Sequence, residues 1–144
     1  MAKYVLKDAY IAINGTVVSN LASSCELEDT ADEIDFTGFS SAGYREIGQG
    51  LKDATITVTF FSDFAAAGVN TGINNIIQPI YASGGTCGIE IRPTSAAASA
   101  TNPKGTMLAR VFSYSGIAGA VGDASTFDCA FRNAGTAGLV WGTT

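Results

Sequence analysis

Residues 54–61 read ATITVTFF, with Ile56, Val58 and Phe60 at even positions and Thr55, Thr57 and Thr59 at odd ones. Successive side chains of a β-strand point to opposite faces, so this alternation buries one apolar face and turns a threonine face outward. β-Branched and aromatic residues suit such a pleated, half-buried surface. The scheme recurs. In TFDCAFRN, residues 126–133, Phe127, Cys129 and Phe131 oppose Thr126, Asp128 and Arg132; in TCGIEIRP, residues 86–93, Cys87, Ile89 and Ile91 oppose Glu90 and Arg92. YIAI and TVV flank Asn14-Gly15, a pair suited to a type I′ hairpin turn, which needs positive φ at both central residues. Asn14-Gly15-Thr16 also fits a glycosylation sequon. The turn reading is preferred, because the opening MAKYVLKDAYIAI has no apolar run resembling a signal peptide.

One segment carries a different period. In NTGINNIIQPIYASGG, residues 70–85, the apolar residues Ile73, Ile76, Ile77, Ile80 and Tyr81 follow i, i+3, i+4, i+7, i+8. That spacing predicts a helix laid against a sheet by this stripe, with Gly84 as its stop and Pro79 expected to kink or divide it. Residues 37–50, TGFSSAGYREIGQG, and 93–105, PTSAAASATNPKG, are rich in Gly, Ser and Pro and are expected to be loops. The run GIAGAVGDAS, residues 116–125, also reads as a loop. Short strands, one helix and glycine-rich turns predict a mainly β fold, a β-sandwich or barrel with a flanking helix. A length of 144 residues suits a single domain, residues 1–144, that buries roughly 70% of its unfolded surface.

Composition narrows the function classes. Hydrophobic residues make up 47% of the chain and charged ones 15%, against about 25% charged in ordinary soluble domains. A surface so poor in charge is expected to be covered in part by partner subunits. The formal charge of −5 argues against an attractive surface for DNA or anionic membranes, and the eight basic residues are scattered. No apolar stretch approaches the length of a membrane span, so synthesis as a soluble protein in a cytoplasm is expected. The absence of histidine removes imidazole bases, serine-histidine triads and imidazole metal ligands. Neither GxSxG nor a Walker-type GxxxxGK occurs, so no enzymatic activity, cofactor or metal is expected. Cys25, Cys87 and Cys129 fit no disulfide framework or paired zinc spacing; all fall on apolar faces, where a thiol behaves as a small buried hydrophobe.

Residues 25–36, CELEDTADEIDF, hold six of the thirteen carboxylates. Their spacing does not match an EF-hand loop. Cys25, Leu27, Ile34 and Phe36 alternate with Glu26, Glu28, Glu33 and Asp35, which predicts two strand segments joined by DTAD, apolar side to the core and acidic side to water. Two accounts of the acids fit: a solvated sheet face, or carboxylates gathered on a surface shared between subunits.

Several stretches together resemble the major tail tube proteins of long-tailed, siphovirus-type bacteriophages: AKYVLKDAYIAINGTVVS at the start, GYRE at 43–46, GLKDATITVTFFSDFA at 50–65, and NPKGTMLARVFSYSGIAGAVGDASTFDCAFRNAGT at 102–136. The resemblance implies a β-sandwich-like tail tube fold with one flanking α-helix and a long stacking loop. It implies a structural role in the virion: hexameric rings stacked into a hollow tube, with sheets of neighbouring subunits joined into an inner barrel through which genomic DNA leaves. It further implies tape measure, tail terminator and distal tail proteins as partners. On this basis Glu26, Glu28, Glu33 and Asp35 are candidates to line the bore, where carboxylates repel phosphates and leave passing duplex few points of adhesion. Tyr44, Arg45 and Glu46 in the loop 37–50 are candidates for contact between rings, the other reading being a mobile loop that orders only on stacking. Trp141 is a candidate either to anchor a neighbouring subunit or to bury in its own core. A β-sandwich adhesion or capsid-decoration module and the tube protein of a bacterial injection system stand as alternatives; the former would show an exposed aromatic patch and no ring.

Overall fold

The computed structural model describes residues 3–66 and 71–144. In chain order these form β1 (Tyr10–Ile13), β2 (Thr16–Val17), a 3-10 turn (Ser19–Leu21), β3 (Ala22–Asp35), β4 (Ile47–Phe61), α1 (Ile73–Ser83), β5 (Cys87–Arg92), β6 (Lys104–Val111), β7 (Thr126–Asn133) and β8 (Val140–Gly142). The strands make one antiparallel sheet in the order β2-β1-β5-β6-β7-β4-β3, with β8 added to β6. β6 is the branch point. β5 occupies one edge of it, while β7 pairs with Ala109–Val111 and β8 with Lys104–Thr106 along the other.

The register explains the core. Ile11 faces Ile91, Ile89 faces Met107, Phe131 faces Val111 and Ile56, Val58 faces Cys129, and Phe60 faces Phe127, so the apolar sets of all the long strands fall on one side. One short helix is too small to cover such a face, and the sheet therefore curls upon it in a barrel-like way. Cys25 and Leu27 of β3 come to share a small cleft with Leu6, Ala9, Ile91 and Trp141 from the opposite flank. Phe60, Phe131, Ile56 and Val58 are fully buried, each side chain stabilising the fold by about 1.5–3 kcal/mol relative to exposure. The hairpin turn forms as the sequence predicts, with Asn14 at φ 50° and Gly15 at φ 81°.

α1 covers the remaining gap. Ile73 and Ile77 are fully buried, Ile76 and Ile80 pack against the core, and Tyr81 sits on the rim with its ring 6.4 Å from that of Tyr114. Gly84 ends the helix at φ 66°, a left-handed conformation that suits glycine. Pro79 does not divide α1, which runs unbroken through it. Pro79 is on the exposed side of the helix, where losing one backbone hydrogen bond costs less than it would in the core. Asn70, first residue of the expected helical segment, lies outside the described residues.

Two loop boundaries shift. Residues Ile47 to Gly50 belong to β4 and Lys104 and Gly105 to β6, because pairing with β3 and with β5 and β8 extends each strand past its glycines. Asn102, 6% exposed, knits the remaining loop 93–103: its Oδ1 accepts from the Thr94 N–H at 3.0 Å and its Nδ2 donates to the Ala96 carbonyl at 2.9 Å. Accessible surface totals 9160 Å². A compact monomer of 14.7 kDa would expose about 6,900 Å², so this chain projects well beyond its core.

Candidate functional site: an acidic sheet face and a projecting hairpin

The projection is the β3–β4 hairpin. β3 is a single strand of 14 residues and β4 one of 15, so the two expected segments of the acidic stretch are in fact continuous through DTAD. The alternation slips there for a reason that lies in the partner strand. Ala31 pairs with Lys52 and Glu33 with Gln49, two steps along β3 against three along β4. The extra residue sits in β4, beside Gly50 and Leu51, and β3 keeps its own period.

That period divides the four candidate acids. Glu26 and Glu28 lie on the outer face, opposite Thr57 and Thr55 and away from the core. Glu33 and Asp35 lie on the other face of the same strand, beyond the point where the core ends. Correspondingly, Ile34 and Phe36 do not continue the core face of Cys25 and Leu27. They cover two glycines across the hairpin: a Cβ at Gly48 would lie 2.6 Å from the Phe36 ring, and one at Gly50 2.9 Å from Ile34 Cδ1. The glycines of GQG are thus places where side chains from β3 lie on bare backbone.

Around Glu26 and Glu28 the outer face is built from β4 and β7. Thr55, Thr57 and Thr59 form a row, and Thr59 Oγ1 donates to Asp128 Oδ1 at 2.6 Å. Asp53 Oδ2 accepts from Arg132 Nη2 at 2.9 Å. Threonine hydroxyls and carboxylates therefore dominate this part of the face, and the free edge of β3 adjoins it. Among the described residues β3 pairs with β4 alone, leaving its second edge open along the whole strand. An open edge of that length invites another strand.

The hairpin tip is fastened by its own polar groups. The Phe36 N–H donates to the Glu46 carbonyl at 2.7 Å, the Glu46 N–H to Thr37 Oγ1 at 2.9 Å, and the Thr37 N–H to Asp35 Oδ1 at 2.8 Å. Hydrogen bonds from Thr37 hold the Asp35 carboxyl below its usual range. Arg45 Nη2 reaches Asp35 Oδ2 at 3.4 Å across the neck of the loop. Of the three candidates for contact between rings, Arg45 is thus engaged within the hairpin, while Tyr44 and Glu46 are exposed. Phe39, which sequence reasoning passed over, stands free at the tip with Phe36 and Tyr44 nearby, all largely exposed.

Trp141 is 53% exposed at the cleft of Leu6, Cys25 and Leu27, neither buried in the core nor free of it. Cys87 and Cys129 are buried and Cys25 is half-buried. Burial pushes all three thiols up, Cys129 to about 12, which leaves it protonated and unreactive at neutral pH. Among the described residues no group of three acidic or thiol side chains is placed to hold a metal ion, and no helix is long and apolar enough to cross a membrane.

No protein-family model matches the chain, and no curated protein sequence does. Solved structures do. The chain is similar to one in the virion of a native gene transfer agent particle, with a TM-score of 0.73 and 17% identity over 97% of this chain and 99% of that one. It is also similar to a chain in the tail of an empty gene transfer agent particle refined helically with C6 symmetry, with a TM-score of 0.64 and 16% identity over 86% and 82% of the two chains. At such identities the likeness establishes the fold, a mainly β fold with one antiparallel sheet and one helix that also occurs in gene transfer agent particles.

Proposed function

We propose that this protein is a structural subunit of a phage-like tail, which assembles with copies of itself into six-fold rings stacked as a hollow tube. The observation that carries the reading is the open edge of β3, fourteen residues long and bordering the face of Glu26, Glu28, Asp128 and the β4 threonines. Pairing that edge with a neighbouring subunit closes successive sheets into one barrel and removes the hazard of an exposed strand. The concave surface so formed presents carboxylates and hydroxyls. Duplex DNA, with one negative charge per about 1.7 Å of axis, meets repulsion at such a wall, and screening over about 8 Å confines the effect to a thin layer. DNA passes without adhering.

Glu26 and Glu28 are the lumen-facing residues in this reading, since they share the outer face. Glu33 and Asp35, on the reverse of the hairpin, belong with Tyr44, Arg45, Glu46 and Phe39 at the contact between rings. A head-to-tail contact of this type propagates a filament rather than closing. The place of action is the virion, with tape measure, tail terminator and distal tail proteins as partners at the tube's interior and ends. One observation also favours an adhesive module: Phe36, Phe39 and Tyr44, all exposed, at and beside the hairpin tip. Negative-stain microscopy of the purified protein separates the two. Long hollow tubes of uniform width are expected; discrete particles at every concentration would sink the tube reading.

A further inference from the structure

Each of the four arginines in the chain is engaged by an acceptor. Arg45 meets Asp35; Arg92 Nε donates to Glu90 Oε1 at 2.9 Å, Nη1 donates to the Ala96 carbonyl at 2.7 Å, and the guanidinium lies 3.7 Å over the Tyr10 ring. The remaining two matter most, because both stand on the outer sheet face. Arg110 of β6 and Arg132 of β7 are directly opposite each other in the register. Like charges so placed repel, and two adjacent guanidiniums are also well matched to a phosphate. Left free, the pair would be the natural anchoring point for a polyanion on this face. Neither is free. Arg132 Nη2 is held by Asp53 Oδ2 at 2.9 Å, with side chains 54% and 49% exposed, and Arg110 Nη1 donates to the Gly84 carbonyl at 3.1 Å, where α1 ends.

We infer that Asp53 is the residue that keeps this face non-adhesive: by occupying Arg132 it prevents the Arg110–Arg132 pair from clamping the phosphates of a passing duplex. The inference rests on the tube reading for its biological setting, but the masking itself is a property of the subunit. On the β4 side, Thr55 opposite Arg132 and Thr57 next along the same face carry no competing charge. The placement also accounts for arginine beside a path for DNA. It offsets charge repulsion among the acids of the sheet while a carboxylate, not a phosphate, takes its Nη2 donor.

The test uses unassembled full-length subunits and assembled tubes, each with closed circular duplex DNA that cannot thread a bore. Unassembled Asp53→Asn should bind the duplex about tenfold more tightly than wild type at low salt, with the slope of log K against log salt steeper by about one contact per subunit. Asp123→Asn, which removes the same charge from a distant exposed loop, should leave the affinity near wild type, and Asp53→Asn/Arg132→Gln should restore it. Equal affinity for Asp53→Asn and Asp123→Asn would overturn the inference. Assembled Asp53→Asn tubes should exclude the circular duplex. Capture by those tubes would overturn the bore reading while leaving the masking by Asp53 intact.

Discussion

Asn74 is 1% exposed inside an otherwise apolar packing face, and its side chain joins three separate segments. Oδ1 accepts from the Asp63 N–H at 2.7 Å, while Nδ2 donates to Tyr114 Oη at 2.6 Å and to the Gly116 carbonyl at 3.0 Å. Beside it, Gly72 leaves no room for a side chain: a Cβ there would lie 2.3 Å from the Asp63 carbonyl oxygen. Asn74→Leu fills the space with an apolar group but strands the Asp63 N–H and the Gly116 carbonyl, so a loss of about 2–4 kcal/mol is expected. Thermal unfolding of unassembled subunits checks this, as a fall in Tm of roughly 5–15 °C. A variant as stable as wild type would show that the network adds nothing. The five-residue stripe of α1 is readable from spacing alone, whereas Asn74 is not. Its partners come from residues 63, 114 and 116, and no local pattern announces them.

At the scale of elements, the alternating strands are legible because burial of one face writes itself into period two. ATITVTFF, TFDCAFRN and TCGIEIRP fold as their patterns predict, and their register aligns the apolar sides. The β3–β4 hairpin was legible only in part. Read alone, the acidic stretch changes phase at DTAD, yet the extra residue lies in β4, some twenty positions away in sequence. A bulge belongs to a pair of strands, and one strand read alone assigns it to the wrong place. The tip depends on the same hairpin. Arg45 is 78% exposed and its ion pair with Asp35 is long, so Arg45→Glu should leave subunit stability nearly unchanged. It places an acid against Asp35 and alters the neck that presents Phe39 and Tyr44. Tube formation followed by light scattering should fall sharply under conditions where the wild type assembles; assembly at the wild-type rate would remove the tip from the contact between rings.

The whole molecule shows what the composition anticipates. With 15% charged residues, the surface is left to threonine, small residues and many large apolar groups, among them Phe39, Leu51, Phe112, Ile117 and Val121. The surface in excess of a compact monomer and the open strand edge both belong to the projecting β3–β4 hairpin, and such an element suits packing against neighbours. Strand order and the branching at β6 were beyond reach of the sequence, since they rest on pairings between distant segments. The outward-facing acids were visible as a cluster, but which of them share a face emerged only from the register.

A tube that passes DNA needs the Glu26–Glu28 face to look inward once subunits assemble. Helical reconstruction of the tube by electron cryomicroscopy tests it most directly. Six subunits per ring are expected, with Glu26, Glu28 and Asp128 in the wall of an open channel and the Asp53–Arg132 pair beside them. A solid particle, or a tube carrying that face on its exterior, would contradict it.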